Sequence, residues 1–153
     1  MWNQDKSLNL SIILVKVLFV LIIILAVCVP IMVRWYDIVS QNRMGLVEGS
    51  VYIPLSICLY LSAVCGEVCL FHLGKLLNNI RDNIIFKPEN CKHLRYISWC
   101  CLLVAVLFGV FGIWRFLGFF VAFAAGFFGL VLRVLKNVFE RAVELQEEND
   151  YTI

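Results

Sequence analysis

The stretch that decides the fold is ISWCCLLVAVLFGVFGIWRFLGFFVAFAAGFFGLVL, residues 97–132, in which Arg115 is the single charged residue. As one helix these 36 residues would be about 54 Å long, whereas the hydrocarbon core of a bilayer is about 30 Å thick. The stretch therefore predicts a hairpin of two transmembrane helices, over 97–113 and 116–132, that turns at Trp114 and Arg115.

Two further apolar stretches precede the hairpin, each longer than the roughly 18 residues that a transmembrane helix needs. Residues 8–33 carry one charge, and residues 51–73 are interrupted by Glu67 and His72. Hydrophobic residues make up 62% of the chain, against about half in a soluble domain, and 153 residues cannot bury so much apolar surface. We predict one all-α domain over 1–153, a bundle of four transmembrane helices with a small helical cap in the cytoplasm.

The orientation follows from the positive charges. Ten of the 13 Lys and Arg residues lie near the N-terminus, in the loop 74–96 or in the tail 133–153. Loops rich in Lys and Arg stay in the cytoplasm, so we expect a multi-pass protein of the cell membrane with both termini cytoplasmic. Residues 25–28, LAVC, approach a lipoprotein cleavage box, but Val27 is unusual before the cysteine, so we expect an uncleaved first helix.

The loop 74–96 reads as an extension of the second helix, a break and a new helix. Leu76, Leu77 and Ile80 keep helical spacing, and 84–86 is a short extended apolar stretch. Pro88 then suits the first turn of a helix, where the next residue, a glutamate, is favourable. This new helix should lead into the third span.

The tail continues the fourth helix with an apolar seam at heptad-like spacing, formed by Leu135, Val138, Ala142 and Leu145. The seam either packs against the loop of the same chain or forms a docking or dimer face. The basic loop and the acidic chain end are electrostatic partners, and together they predict a surface for a cytoplasmic partner. The residues assigned to this surface are Arg81, Lys87, Lys92, Arg95, Leu135, Val138, Glu144, Glu147, Glu148 and Asp150.

Four segments carry a resemblance to a known family: NIR at 79–81, IIFKPEN at 84–90, LRYI at 94–97 and AVELQEENDYTI at 142–153. They resemble the signature of domain-of-unknown-function family 2975, the YoaS-like membrane proteins of bacteria. The resemblance implies four spans over about this length and a regulatory role beside small helix-turn-helix transcription regulators. This chain departs from the pattern at Lys87, where Ser or Thr would supply a helix-capping hydroxyl, and at Tyr151, where Leu is usual.

Two charged residues inside the spans form a candidate site, because ionisable groups in a bilayer are expensive. Lys16 on the first helix and Glu67 on the second lie at similar depth, which predicts an intramembrane ion pair. The alternative is that Lys16 extends to the interface and Glu67 is a protonated or hydrogen-bonded structural acid.

Seven cysteines are present, and we interpret them as small apolar residues, with no metal and no cofactor. The alternative is a soft-metal site in which Cys65, Cys69 and His72 on one helix face combine with Cys100 or Cys101. The sequence has no metalloprotease, phosphate-loop or dinucleotide-binding motif, so we expect no enzyme.

Small residues on the fourth helix, Gly118, Ala122, Gly126 and Gly129, let another helix approach closely. They predict packing against the third helix or, alternatively, a homodimer. For function, the sequence favours a regulatory or sensor module that binds a small helix-turn-helix regulator or another cytoplasmic protein. The alternative is a transporter-like or immunity-type protein acting on a small peptide or lipid in the bilayer. A net charge of +2 does not indicate direct nucleic-acid binding.

Overall fold

The structure is a computed structural model that describes residues 4–40, 46–47, 49–82 and 87–150. Four helices make up the described chain: α1 Gln4–Val39, α2 Tyr52–Arg81, α3 Pro88–Phe111 and α4 Leu117–Asp150. Each of them is long and apolar enough to cross a membrane. The prediction of an all-α protein with four membrane-spanning helices is confirmed.

The hairpin predicted from the length of the 97–132 stretch is present between α3 and α4. Its turn is closed by a hydrogen bond from the Gly118 amide to the Arg115 carbonyl oxygen, 2.9 Å long. A Cβ atom at Gly118 would lie 2.7 Å from the Gly112 nitrogen and 2.8 Å from the Phe108 carbonyl oxygen. Such distances are inside van der Waals contact with backbone, so the tight turn requires glycine there.

The small residues of α4 pack against α3 along the rest of the hairpin. Ala122 faces Gly109, and a Cβ at Gly126 would lie 3.6 Å from the Ala105 side chain. At Gly129 a Cβ would approach the Leu102 side chain to 3.0 Å. The face is thus occupied by α3, in line with intramolecular packing, and a homodimer through it would have to displace that helix.

Helix α3 begins at Pro88, as the sequence indicates. Lys87 before it has the extended backbone that a following proline imposes, with φ −116° and ψ 144°, and its side chain makes no capping hydrogen bond. Glu89 lies in the first turn, near the positive end of the helix dipole. The extended stretch predicted at 84–86 lies outside the described residues.

The helices pack in chain order. Close backbone contacts join α1 to α2, α2 to α3 and α3 to α4, and none joins α1 to α4 in the part of the chain that the structure describes. A buried apolar cluster lies near the hairpin turn and consists of Val29, Val33, Val51, Leu55, Cys58 and Phe111. Most other apolar side chains of the helices face outward, as expected where lipid replaces water around them.

Polar groups at this end connect the segments next to the cluster. Arg115 is only 5% exposed and donates hydrogen bonds to the carbonyl oxygens of Ser40, at 3.2 Å, and Trp114, at 2.8 Å. Asp37 of α1 accepts hydrogen bonds from the Ser50 hydroxyl at 2.7 Å and the Val51 amide at 2.8 Å, just before α2 begins. We call this region the Arg115 end, and the opposite one, formed by the described residues of 74–96 and 133–150, the charged end.

Candidate functional site at the charged end

The part of α4 beyond the apolar span docks on the start of α3 through one carboxylate. Glu140 accepts hydrogen bonds from Arg95 of α3, at 3.3 Å, and from Lys136, which lies one turn earlier on α4. Val143, one turn later, is buried on the same side. The hydrogen bond from Lys136, together with the positive charge of Arg95, holds the pKa of the Glu140 carboxyl below its ordinary value. The electrostatic contact between loop and tail thus involves the α3 part of the loop.

The apolar seam predicted on the tail is not the face that docks. Leu135, Val138 and Leu145 are 42%, 59% and 66% exposed, and Ala142 is half-buried. The docked residues are instead Lys136, Glu140 and Val143, and helical spacing puts them on roughly the opposite side of α4. Among the described residues, none covers the seam, so its packing against that part of its own chain is not observed, and a docking or dimer face remains as the alternative.

The other residues assigned to the partner surface are accessible. Arg81 forms an ion pair with the adjacent Asp82, at 3.5 Å. The exposed members are Lys87, Lys92, Glu144, Glu147 and Glu148. The side chain of Asp150 lies outside the described part of the chain. The structure therefore places basic residues of α3, acidic residues of α4 and the exposed seam at the same end of the molecule.

Helices α2 and α3 are joined at this end by polar contacts that the sequence did not reveal. The Asn79 amide donates to the Asn90 side-chain oxygen at 2.7 Å. The Nδ1 atoms of His72 and His93 are 2.8 Å apart, and the Tyr96 ring stacks on His72 with 4.7 Å between ring centroids. One Nδ1 must donate this hydrogen bond and the other must accept it, so the two imidazoles cannot both be protonated.

The predicted intramembrane ion pair is not formed in the structure. Lys16 is exposed on α1, in a shallow groove beside Val17 and Val20. Both carboxylate oxygens of Glu67 are buried and have no hydrogen-bond partner among the residues that the structure describes. The expected equal depth is wrong, because Gly66 lies next to Ile22 and Gly74 next to Val15. Lys16 is therefore level with the region of Gly74 on α2, roughly 9 Å along the helix from Glu67.

The cysteines of α2 and α3 form a cluster that matches only part of the alternative metal site. Cys65 and Cys69 lie next to Cys100 and Cys101, and all are free thiols. His72 is held away by its contact with the histidine of α3. No three His, Cys, Asp or Glu side chains within the described ranges are arranged to hold a metal ion.

Two functional features at the charged end were missed at the level of sequence. The spacing of Lys136 and Glu140 by four residues is a helix pair that could have been read. The contact of Arg95 with the same carboxylate could not have been predicted from the sequence, because it depends on how α3 and α4 are rotated against each other. Trp99 and Arg133 form the second feature: the guanidinium lies 5.0 Å from the centre of the indole ring, at the boundary of the apolar spans.

The comparisons with known proteins agree with the motifs of the loop and tail. The family whose model matches is described as protein of unknown function, DUF2975, and the match covers residues 47–153. No curated protein and no solved structure matches the chain. The matched part includes α2, the hairpin and the whole charged end, so the chain belongs to the DUF2975 family of proteins of unknown function.

Proposed function

We propose that the protein is a non-catalytic regulatory module of the cell membrane. Its charged end faces the cytoplasm and binds a small helix-turn-helix transcription regulator. The single observation that carries the proposal is the exposed apolar seam, in which Val138 and Leu145 are 59% and 66% exposed on a helix beyond the membrane span. An apolar stripe that its own chain leaves uncovered is the typical face for a helical partner.

The charges beside the seam specify the kind of partner. Glu144 and Glu148 flank it, and both are exposed. Acidic residues around an apolar stripe favour a partner whose own apolar patch is surrounded by Lys and Arg, as in proteins that bind DNA. The same argument makes binding sensitive to salt, because exposed charges are screened over about 8–10 Å at physiological ionic strength.

The orientation rests on the distribution of Lys and Arg. Ten of the 13 fall on the side of the charged end, and the remaining three include the buried Arg115 at the other end. The positive-inside rule then puts the charged end, and with it the seam, in the cytoplasm.

Site-specific photo-crosslinking of the full-length chain in cells tests the proposal. A photoreactive residue at Val138 should crosslink a basic DNA-binding protein, identified by mass spectrometry, and the yield should fall with Glu144→Lys and Glu148→Lys. The matched control is Phe123, which is more exposed than Val138, at 77% against 59%, but lies inside the fourth span. Crosslinks from Val138 to lipid alone, or equal capture from Phe123, would refute the regulatory proposal.

One observation favours the alternative function. A cavity of about 210 Å³ lies near the Arg115 end, and all four helices contribute to its apolar wall through Met32, Tyr36, Leu55, Phe108 and Val121. A hydrophobic peptide or an acyl chain would fit its chemistry. If this cavity is the working site, Val121→Trp should abolish function in cells whereas the charge reversals on the tail should not.

A further inference from the structure

A second cavity lies between α3 and α4 at the charged end, with a volume of about 250 Å³. In contrast to the cavity near Arg115, its wall is polar and basic. It is lined by Arg95, Ser98, Trp99, Arg133, Lys136 and Asn137. At about 30 Å³ per water molecule in the liquid, the space equals roughly eight waters, enough for a phosphate group and a few attached atoms.

The cavity lies at the depth of the lipid headgroups. Arg95 stands two residues before the apolar stretch 97–132 begins, and Arg133 follows directly where it ends. Trp99, in the wall between them, belongs to the residue type that concentrates at the membrane–water interface. A cavity at this level is accessible to the phosphate of a lipid from the side and to soluble anions from the aqueous phase.

The wall of the cavity carries more positive charge than the neighbouring carboxylate neutralises. Three cations line the cavity, and the carboxylate of Glu140 pairs with two of them, Arg95 and Lys136. Arg133 contacts the Trp99 ring and forms no ion pair with any residue that the structure describes. A guanidinium held over an indole face keeps its N–H groups available for a bidentate contact with phosphate.

We propose that this cavity binds a phosphate group, carried by an anionic lipid or by a soluble phosphate, with Arg133 as the main contact and Arg95 and Lys136 as supporting charges. Basic pockets between transmembrane helices near the cytoplasmic surface recognise lipid phosphates by this chemistry. Glu140 competes with the ligand for two of the cations and so limits the affinity. The site does not depend on the proposed protein partner.

Native mass spectrometry of the full-length protein in neutral detergent tests the site. The probes are phosphatidylglycerol, phosphatidic acid and phosphatidylcholine, and inorganic phosphate is added separately. Arg133→Gln should weaken binding of the anionic lipids by about tenfold, since hydrogen bonds to charged groups are among the strongest in proteins. The matched control is Arg141→Gln, which removes the same charge from the exposed surface of α4 outside the cavity and should change nothing.

Two further variants keep the test decisive. Arg133→Lys retains the charge without the planar fork and should give an intermediate affinity even if the glutamine variant fails to fold. Glu140→Gln should tighten binding several-fold. If inorganic phosphate binds and Arg133→Gln weakens that binding, the ligand of the cavity is a soluble phosphate. If only the anionic lipids bind, the ligand is the phosphate of a lipid headgroup. Equal losses from Arg133→Gln and Arg141→Gln, or no loss from either, would overturn the proposal.

Discussion

The two ends of the molecule differ in how their helices are held together. At the Arg115 end, the buried Arg115 and the half-buried Asp37 hold the backbone of neighbouring segments around a packed cluster that contains Phe111. At the charged end the connection between α3 and α4 runs through Glu140, which is 40% exposed, and the apolar seam is left uncovered. The first arrangement fixes the geometry of the helices, and the second leaves surfaces and cations free to bind something else.

The largest expected effect is at the packed end. Phe111→Ala should lower the free energy of unfolding in mixed micelles by about 3 kcal/mol, because the residue is 4% exposed and its removal leaves a cavity. Phe120→Ala, at a position that is 74% exposed on α4, should change it by less than about 0.5 kcal/mol. Similar losses from the two variants would show that the cluster is not the packed end of the molecule.

A smaller loss is expected at the turn of the hairpin. Gly118→Ala puts a Cβ atom 2.7 Å from a backbone nitrogen, so the helices must separate, at a cost of about 2 kcal/mol. The matched change on the same helix, Gly126→Ala, brings the new methyl group into ordinary contact at 3.6 Å and should be nearly neutral. Thermal melts of both variants in one detergent provide the measurement, and a stable Gly118→Ala protein would contradict the tight turn.

The smallest expected effect is at the charged end. Glu140→Gln removes one exposed and one partly buried ion pair and should cost about 1 kcal/mol at neutral pH, with the difference shrinking in high salt. Because the folded protein holds the pKa of Glu140 below its ordinary 4.5, the contribution is present above that value and is lost as the pH falls through the folded pKa. A loss as large as that of Phe111→Ala would erase the contrast between the two ends.

The number of helices, the hairpin and the start of α3 at Pro88 can be predicted from the sequence, because they depend on local pattern and on the thickness of a bilayer. The exposed seam and the separation of Lys16 from Glu67 could not be predicted in the same way. The exposure of the seam depends on the rotation of one helix against another, and the separation of Lys16 from Glu67 depends also on how far α1 is shifted along α2. Apolar residues on almost every face of these helices leave both unspecified. The small residues of α4 are the exception, because they allow another helix to approach closely and so identify the face of α4 that packs.

The length of helix α4 has a mechanical consequence. It runs without a proline from Leu117 at the hairpin turn to Asp150, and its 34 residues span about 51 Å. Its contacts with α3 extend from the tight turn at Gly118 to Glu140, so the two helices should tilt together as one rigid lever. A change of tilt by about 5°, of the kind that follows a change in bilayer thickness, moves the far end by about 4 Å, nearly the pitch of one helical turn. A change in membrane thickness that tilts α4 would therefore also displace the exposed seam.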